Sequence, residues 1–239
     1  MLELSRDILI DIGNTRTKYV YSDSKGQLSD IHTLPRNEVP LTVFEGCRKA
    51  VVASVANQSV VDGIKDVARQ AGVNVIEVST SKEAFGVTCP YEEPETLGID
   101  RWLCALAVAK STTQPTAILD LGTAATCDFV VNGRYLGGWI APGFELMRNS
   151  LVTNTEQIFA DQAYPEQIKV GQSTEECVNQ GCLAMLTGLL LQTEQTLSQF
   201  DGEALIVMLG GSADMIIKAT NKPVRKEPNL VFQGLRLFL

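Results

Sequence analysis

Two short stretches of this chain bring together residue types that suit polyphosphate chemistry. Ile10-Asp11-Ile12-Gly13-Asn14-Thr15-Arg16-Thr17 recurs 109 residues later as Leu119-Asp120-Leu121-Gly122-Thr123-Ala124-Ala125-Thr126. In each copy an apolar strand carries a carboxylate near its end and meets a glycine, and the next strand starts within a few residues. Such a turn presents backbone N–H groups and a carboxylate together. Gly13 and Gly122 permit close approach of the backbone, and Asn14, Thr15 and Thr123 offer side-chain donors. Asp11 and Asp120 suit a cation held directly or through water, and Lys18 adds a point charge. Phosphoryl transfer asks a protein for positioning, charge neutralisation and a group that orients the acceptor, and these residues suit that demand. One copy alone reads as an ordinary hairpin with an Asp-x-Gly turn; the repetition is what points to a ligand gripped from two sides. The chain lacks G-x-x-x-x-G-K-[ST] and G-x-G-x-x-G, which excludes a P-loop, a dinucleotide-binding turn and a protein-kinase glycine loop.

The elements that position these turns follow from periodicity. Strands are predicted near 6–12, 17–23 and 27–33, and a buried strand at Val51–Val55. A helical face over 59–72 closes at Gly72, and NVIEV then reads as a strand. A polar stretch, Cys89 to Thr96, precedes a helix from about Asp100 to Thr112 that Gln114-Pro115 breaks. TAILDLG and ATCDFVV are strands, Asn132-Gly133 is a hairpin turn signal, and YLGGWIAPG follows. A long helix near 174–199, a strand at ALIVMLGG, a helix near 212–220 and an apolar segment after Pro228 complete the pattern. The restart divides the chain into related halves, 1–113 and 114–239, of α/β class.

Composition removes several function classes. The chain has 239 residues and a net charge of −8, and no basic run interleaved with aromatics, so nucleic acid is not an expected partner. No apolar tract is long enough to cross a bilayer, and MLELSRDILIDIGNT fits neither a signal nor a transit peptide. No membrane association and a cytoplasmic location are therefore expected. Six cysteines, at 47, 89, 104, 127, 177 and 182, contain no C-x-x-C pair and read as reduced thiols, and a single histidine, His32, cannot build a histidine-rich metal site.

The duplicated turns resemble the phosphate loops of the acetate and sugar kinase, Hsp70 and actin superfamily. Three further stretches narrow the match: Leu97-Gly98-Ile99-Asp100-Arg101-Trp102, Gly137-Gly138-Trp139-Ile140-Ala141-Pro142-Gly143, and Pro228-Asn229-Leu230-Val231-Phe232-Gln233-Gly234-Leu235. In joint order and spacing, from residue 8 to residue 235, the five motifs resemble type III pantothenate kinase. The resemblance implies two duplicated ribonuclease H-like halves, an actin-like ATPase fold, around a central cleft. It implies transfer of the ATP γ-phosphate to the primary hydroxyl of pantothenate, the first step of coenzyme A biosynthesis. Asp100 is then the general base, and Tyr91, Gly98, Ile99, Asp100, Arg101 and Thr174 contact pantothenate. Asp11, Ile12, Gly13, Asn14, Thr15, Arg16, Thr17 and Lys18 form the first ATP loop, and Thr123 is a further ATP contact. Asp120 is the ligand of a monovalent cation, potassium or ammonium, and magnesium accompanies ATP. The resemblance also implies a homodimer.

Each position has a plainer reading beside this one. Asp100 starts a helix and suits an N-cap, Arg101 suits a solvated first turn, and Thr174 suits the cap of the long helix. Lys18 alternates toward solvent, and Gly210-Gly211 is explained by a strand-to-helix turn. The alternative function is a non-catalytic regulatory accessory protein of the same family; a kinase of the same fold acting on another hydroxyl compound is a third.

Overall fold

The computed structural model describes residues 6–36, 38–153 and 164–239. In chain order the strands and helices are β1 (Arg6–Ile12), β2 (Arg16–Ser22), β3 (His32–Pro35), β4 (Cys47–Ser54), α1 (Gln58–Gln70), β5 (Asn74–Glu77), β6 (Glu83–Ala84), β7 (Val87–Thr88) and α2 (Ile99–Ser111). They continue as β8 (Thr116–Leu121), β9 (Ala124–Val131), β10 (Arg134–Pro142), α3 (Phe144–Thr153), α4 (Thr174–Leu197), β11 (Leu205–Leu209), α5 (Ala213–Thr220), β12 (Arg225–Lys226) and α6 (Leu230–Arg236).

Two five-stranded sheets have the same design. The first runs β3-β2-β1-β4-β5 and the second β10-β9-β8-β11-β12. In each, a three-stranded antiparallel meander leads the sheet, and its first strand pairs parallel with the strand that follows the meander, β4 in one sheet and β11 in the other. The central strands show why. Ile8, Leu9 and Ile10 in β1, and Ala117, Ile118 and Leu119 in β8, are buried on both faces, as continuous apolar runs in covered sheets are. Registering the two hairpins reveals a slip of one residue. Asp11 pairs with Lys18, whereas Asp120 pairs with Thr126, the residue that the gapless sequence match sets against Thr17. The first loop, Gly13 to Thr15, is one residue longer than the second, Gly122-Thr123.

By compactness the chain divides into Met1–Lys110 with Asn229–Leu239, and Ser111–Pro228. The segment after Pro228 thus belongs with the first unit, not with the half it follows in sequence. In the first unit, Ile8, Ile10, Phe44, Val52 and Val61 pack into one core. In the second, Leu119, Cys127, Phe144, Leu183, Leu186 and Met208 do the same.

Three local results differ from the periodicity. The third strand begins at His32 rather than near 27, because Asp23 Oδ1 accepts the N–H groups of Lys25 and Gln27, both at 2.8 Å, and Gly26 sits at φ +77°, so this stretch is a turn. Helix α3 was not foreseen; it starts at the residue after Gly143 and buries Phe144, Met147 and Arg148. Helix α2 has no polar stripe in its middle. Residues 101–108 are all buried, so it is an interior helix rather than an amphipathic one.

The cysteines of the chain are free thiols; Cys89, Cys104, Cys127 and Cys182 are buried and Cys177 is exposed. Burial pushes the thiols of Cys47 and Cys182 above the usual range, which keeps them protonated and inert. Burial likewise pushes the Tyr21 phenol up to about 12, against the opposing pull of the Arg6 guanidinium stacked over its ring.

Candidate functional site

In the first unit, the loop between β1 and β2 is closed by the Gly13 N–H, which donates to the Arg16 carbonyl at 3.0 Å. Asn14, Thr15, Arg16 and Lys18 are exposed, with Asp11 half-buried beside them. Ile12 and Thr17 are not. Both are completely buried, so of these two only the backbone is available to a ligand. The Thr17 hydroxyl instead donates to the Arg36 carbonyl at 2.9 Å, and Arg36 Nη1 donates to the Asn14 carbonyl at 2.8 Å. Arg36 escaped the sequence reading because it lies beyond the expected end of the third strand; only the β2–β3 register, Arg16 opposite Pro35, brings it to the loop.

A second group of the same unit gathers at the start of α2. The helix begins at Ile99, so Asp100 stands in its first turn and is not the residue before it. Its Oδ1 accepts the Arg101 N–H at 2.9 Å and lies 2.6 Å from where a side chain on Gly98 would begin. Gly98 is therefore required for the Asp100 carboxylate to sit as it does. Arg101 is buried, and its Nη1 donates to the Tyr91 hydroxyl at 3.0 Å. A buried guanidinium keeps its charge and must be supplied with acceptors, and the Tyr91 hydroxyl is one of them. The stretch that carries Tyr91 is braced from the chain upstream. Lys82 Nζ donates to the Tyr91 carbonyl at 2.7 Å, and the Thr80 hydroxyl donates to the Leu97 carbonyl at 2.9 Å. Neither residue carries a sequence signal, since both act on backbone and not on a ligand.

In the second unit, the Gly122 N–H donates to the Ala124 carbonyl at 3.0 Å and closes the two-residue loop, leaving Thr123 exposed. The Gly143 N–H donates to the Thr123 carbonyl at 3.0 Å, so the end of the GGWIAPG stretch holds this loop from behind. A Cβ on Gly143 would fall 2.1 Å from the Gly122 carbonyl oxygen. Gly138 has a different reason. Its Cβ would fall 1.9 Å from the Cys127 carbonyl, so it serves the fit of β10 against β9. Asp120 Oδ1 lies 2.6 Å from the Cβ position of Gly210, which has φ +91°. The glycine turn after β11 thus leaves room for the Asp120 carboxylate. Thr174 is exposed as the first residue of α4, and the cap itself is Ser173, whose Oγ accepts the Glu176 N–H at 3.2 Å. Glu176 in turn accepts the Gln172 N–H, which, with Lys169 nearby, holds its carboxyl below the usual range. Thr174 lines a groove of about 760 Å³ with Pro142, Leu146, Leu151 and Met185.

These surroundings fit a nucleotide with its ions. Among the described residues no three His, Cys, Asp or Glu side chains converge into a metal cage. A cation held by Asp120 or Asp11 would therefore take a single carboxylate from the protein and would need phosphate, carbonyl or water oxygens for the rest of its shell.

Comparison with known proteins adds the identity of the arrangement. Among solved structures, a Baf family transcriptional activator from Campylobacter jejuni superposes with TM-score 0.62 at 20% identity, covering 96% of both chains. The activator of 2-hydroxyisocaproyl-CoA dehydratase from Clostridium difficile, with bound ADPNP, gives 0.53 at 13% identity, covering 98% of this chain and 93% of the other. At these identities the likeness carries the fold, which is the actin-like ATPase fold with two related α/β halves. The type III pantothenate kinase of Pseudoalteromonas atlantica is 34% identical over 244 residues, covering all of this chain and 99% of its own. The family model for type III pantothenate kinase matches residues 8–195. With both glycine turns, the Asp100-Arg101 turn and α4 as far as Gln195 inside that match, the chain belongs to the type III pantothenate kinase family.

Proposed function

We propose that this chain is an ATP-dependent kinase that transfers the γ-phosphoryl group to the primary hydroxyl of pantothenate, giving 4′-phosphopantothenate for coenzyme A biosynthesis. The observation that carries this reading is family membership over residues 8–195, with a half-buried carboxylate, Asp100, beside buried Arg101 and its partner, half-buried Tyr91.

Asp100 is the general base. Its carboxylate orients the acceptor hydroxyl and takes its proton as the new P–O bond forms, and with a loose transition state it need not be strongly basic. Arg101 receives the pantothenate carboxylate with its planar fork, and Tyr91, Gly98, Ile99 and Thr174 complete the contacts. The first loop, Asp11 to Lys18, and Thr123 hold the ATP phosphates through N–H groups and side-chain donors. Asp120 would hold a monovalent cation, potassium or ammonium, and Asp11 suits the magnesium that accompanies ATP. When bound, these cations neutralise the charge that builds on the transferred group. The working form is a cytoplasmic homodimer, supported by the exposed Leu146, Leu151 and Met185 beside Thr174.

The purified chain should release ADP only when pantothenate, magnesium and potassium or ammonium are all present. Asp100→Asn should lower kcat by about 10²- to 10⁴-fold, the usual contribution of a positioned base. No pantothenate-dependent ADP release, or full turnover by the variant, overturns the assignment. Release driven by small sugars instead of pantothenate would establish a different acceptor.

A further inference from the structure

We propose that Arg36 is a positioning residue for ATP, acting by fixing the peptide that follows Asn14 in the first phosphate loop. The inference rests on the reading of Asp11–Lys18 as a phosphate loop and adds a residue 22 positions beyond Asn14. Two hydrogen bonds latch the end of β3 to the loop in opposite senses. Arg36 Nη1 donates to the Asn14 carbonyl at 2.8 Å, and the Arg36 carbonyl accepts from the fully buried Thr17 hydroxyl at 2.9 Å. Thr17 anchors the Arg36 backbone to the core, so the guanidinium pulls from a fixed point.

The consequence comes from peptide geometry. The Asn14 carbonyl and the Thr15 N–H belong to one trans peptide plane and point in opposite directions. Holding that carbonyl toward Arg36 turns the Thr15 N–H to the other side of the loop. The Gly13 N–H is already committed to the Arg16 carbonyl at 3.0 Å, which closes the loop without touching the Asn14 carbonyl. Arg36 fixes the orientation of that further peptide. Preorganised backbone donors bind an anion without the cost of ordering them first.

Arg36 acts as a brace and not as the phosphate clamp itself. It shares a shallow pocket of about 360 Å³ with Asn14, Thr15, Pro35 and Glu38, and the Glu38 carboxylate opposes an anion settling beside the guanidinium. A hydrogen bond from a charged donor to a backbone carbonyl is among the stronger kinds, so its loss should be measurable in affinity.

The test compares Arg36→Ala and Arg36→Gln in the full-length chain. The probe is calorimetric titration with ATP and magnesium, and steady-state kinetics and thermal melting are recorded beside it. Arg36→Ala should weaken ATP binding and raise KM for ATP at least tenfold, while KM for pantothenate changes less than twofold. Arg36→Gln keeps an N–H donor for the Asn14 carbonyl without the charge, and should restore ATP affinity to within about threefold of wild type. An alanine variant that binds ATP within twofold of wild type overturns the proposal. So does equal loss for both substrates, which marks general disruption, and so does a glutamine variant as weak as alanine, which marks a direct charge contact. Because ATP binding is read without an acceptor, failure of pantothenate turnover leaves this result independent.

Discussion

A methyl group on Gly143 would lie 2.1 Å from the Gly122 carbonyl oxygen and 2.6 Å from that of Thr123, far inside contact distance. Backbone cannot yield as a flexible side chain does, so Gly143→Ala must displace the second loop. We expect a stability loss of about 1–3 kcal/mol by denaturant unfolding, together with a rise in KM for ATP larger than that for pantothenate. A variant with wild-type ATP kinetics would show that the second loop tolerates the shift. Residues of this kind divide by how they work. Asp11, Gly13, Asp120 and Gly122 were legible because side-chain type and spacing announce them twice. Arg36, Lys82 and Thr80 were not, since each acts on a backbone carbonyl that only the folded register brings within reach. Ile12 and Thr17 fall in the matched stretch, yet strand alternation turns their side chains into the core.

Helix α2 joins the proposed substrate-binding residues to the interior. Its first turn carries Asp100 and Arg101, and its middle is buried on every side, so its position is set by what packs on it. One such neighbour is α6. A Cβ on Gly234 would lie 2.2 Å from the Leu103 carbonyl, so the two helices meet there backbone to backbone. This explains the glycine of the PNLVFQGL stretch without any ligand. Gly234→Ala should push α2 aside; alanine favours a helix over glycine by only about 1 kcal/mol, less than the expected overpacking cost of about 1–3 kcal/mol. The predicted signature is a lowered Tm combined with a higher KM for pantothenate and an unchanged KM for ATP, measured on the same preparation. A change confined to Tm would separate α6 from the acceptor site. Element type was legible where a local signal was strong: the continuous apolar runs of β1 and β8, the apolar stripe of α1, and the Ser173-Thr174 start of α4 followed by Glu176. It failed for α3, whose ten residues carry only a weak apolar stripe and lack a cap signal in the sequence; for α2 the helix itself was legible, and what was not is its burial on every side where the sequence suggests a single apolar face.

Across the whole molecule, the matching strand orders make the duplication a property of topology and not of one turn. The restart of the pattern was readable in the sequence. What it did not disclose is that Asn229–Leu239 returns to the first unit, since nothing in an apolar segment names the surface it will cover. Leu230, Val231, Phe232 and Leu235 are buried there. Burying four such side chains contributes about 6–12 kcal/mol, comparable to the net stability of a domain, about 5–15 kcal/mol. Expressed alone, residues 111–228 should therefore give a cooperative melt, whereas residues 6–110 should not until the 229–239 segment is supplied in trans or by fusion. A cooperative transition from 6–110 alone would count against this dependence. The same return reverses the order of events on the ribosome. At 5–20 residues per second the first unit waits roughly 6–24 s for its final helix while residues 111–228 are made. The portion of the protein translated second is thus the first able to complete its fold, and the earlier portion spends that interval with the β1 and β4 surfaces that α6 will cover open to chaperones and to one another.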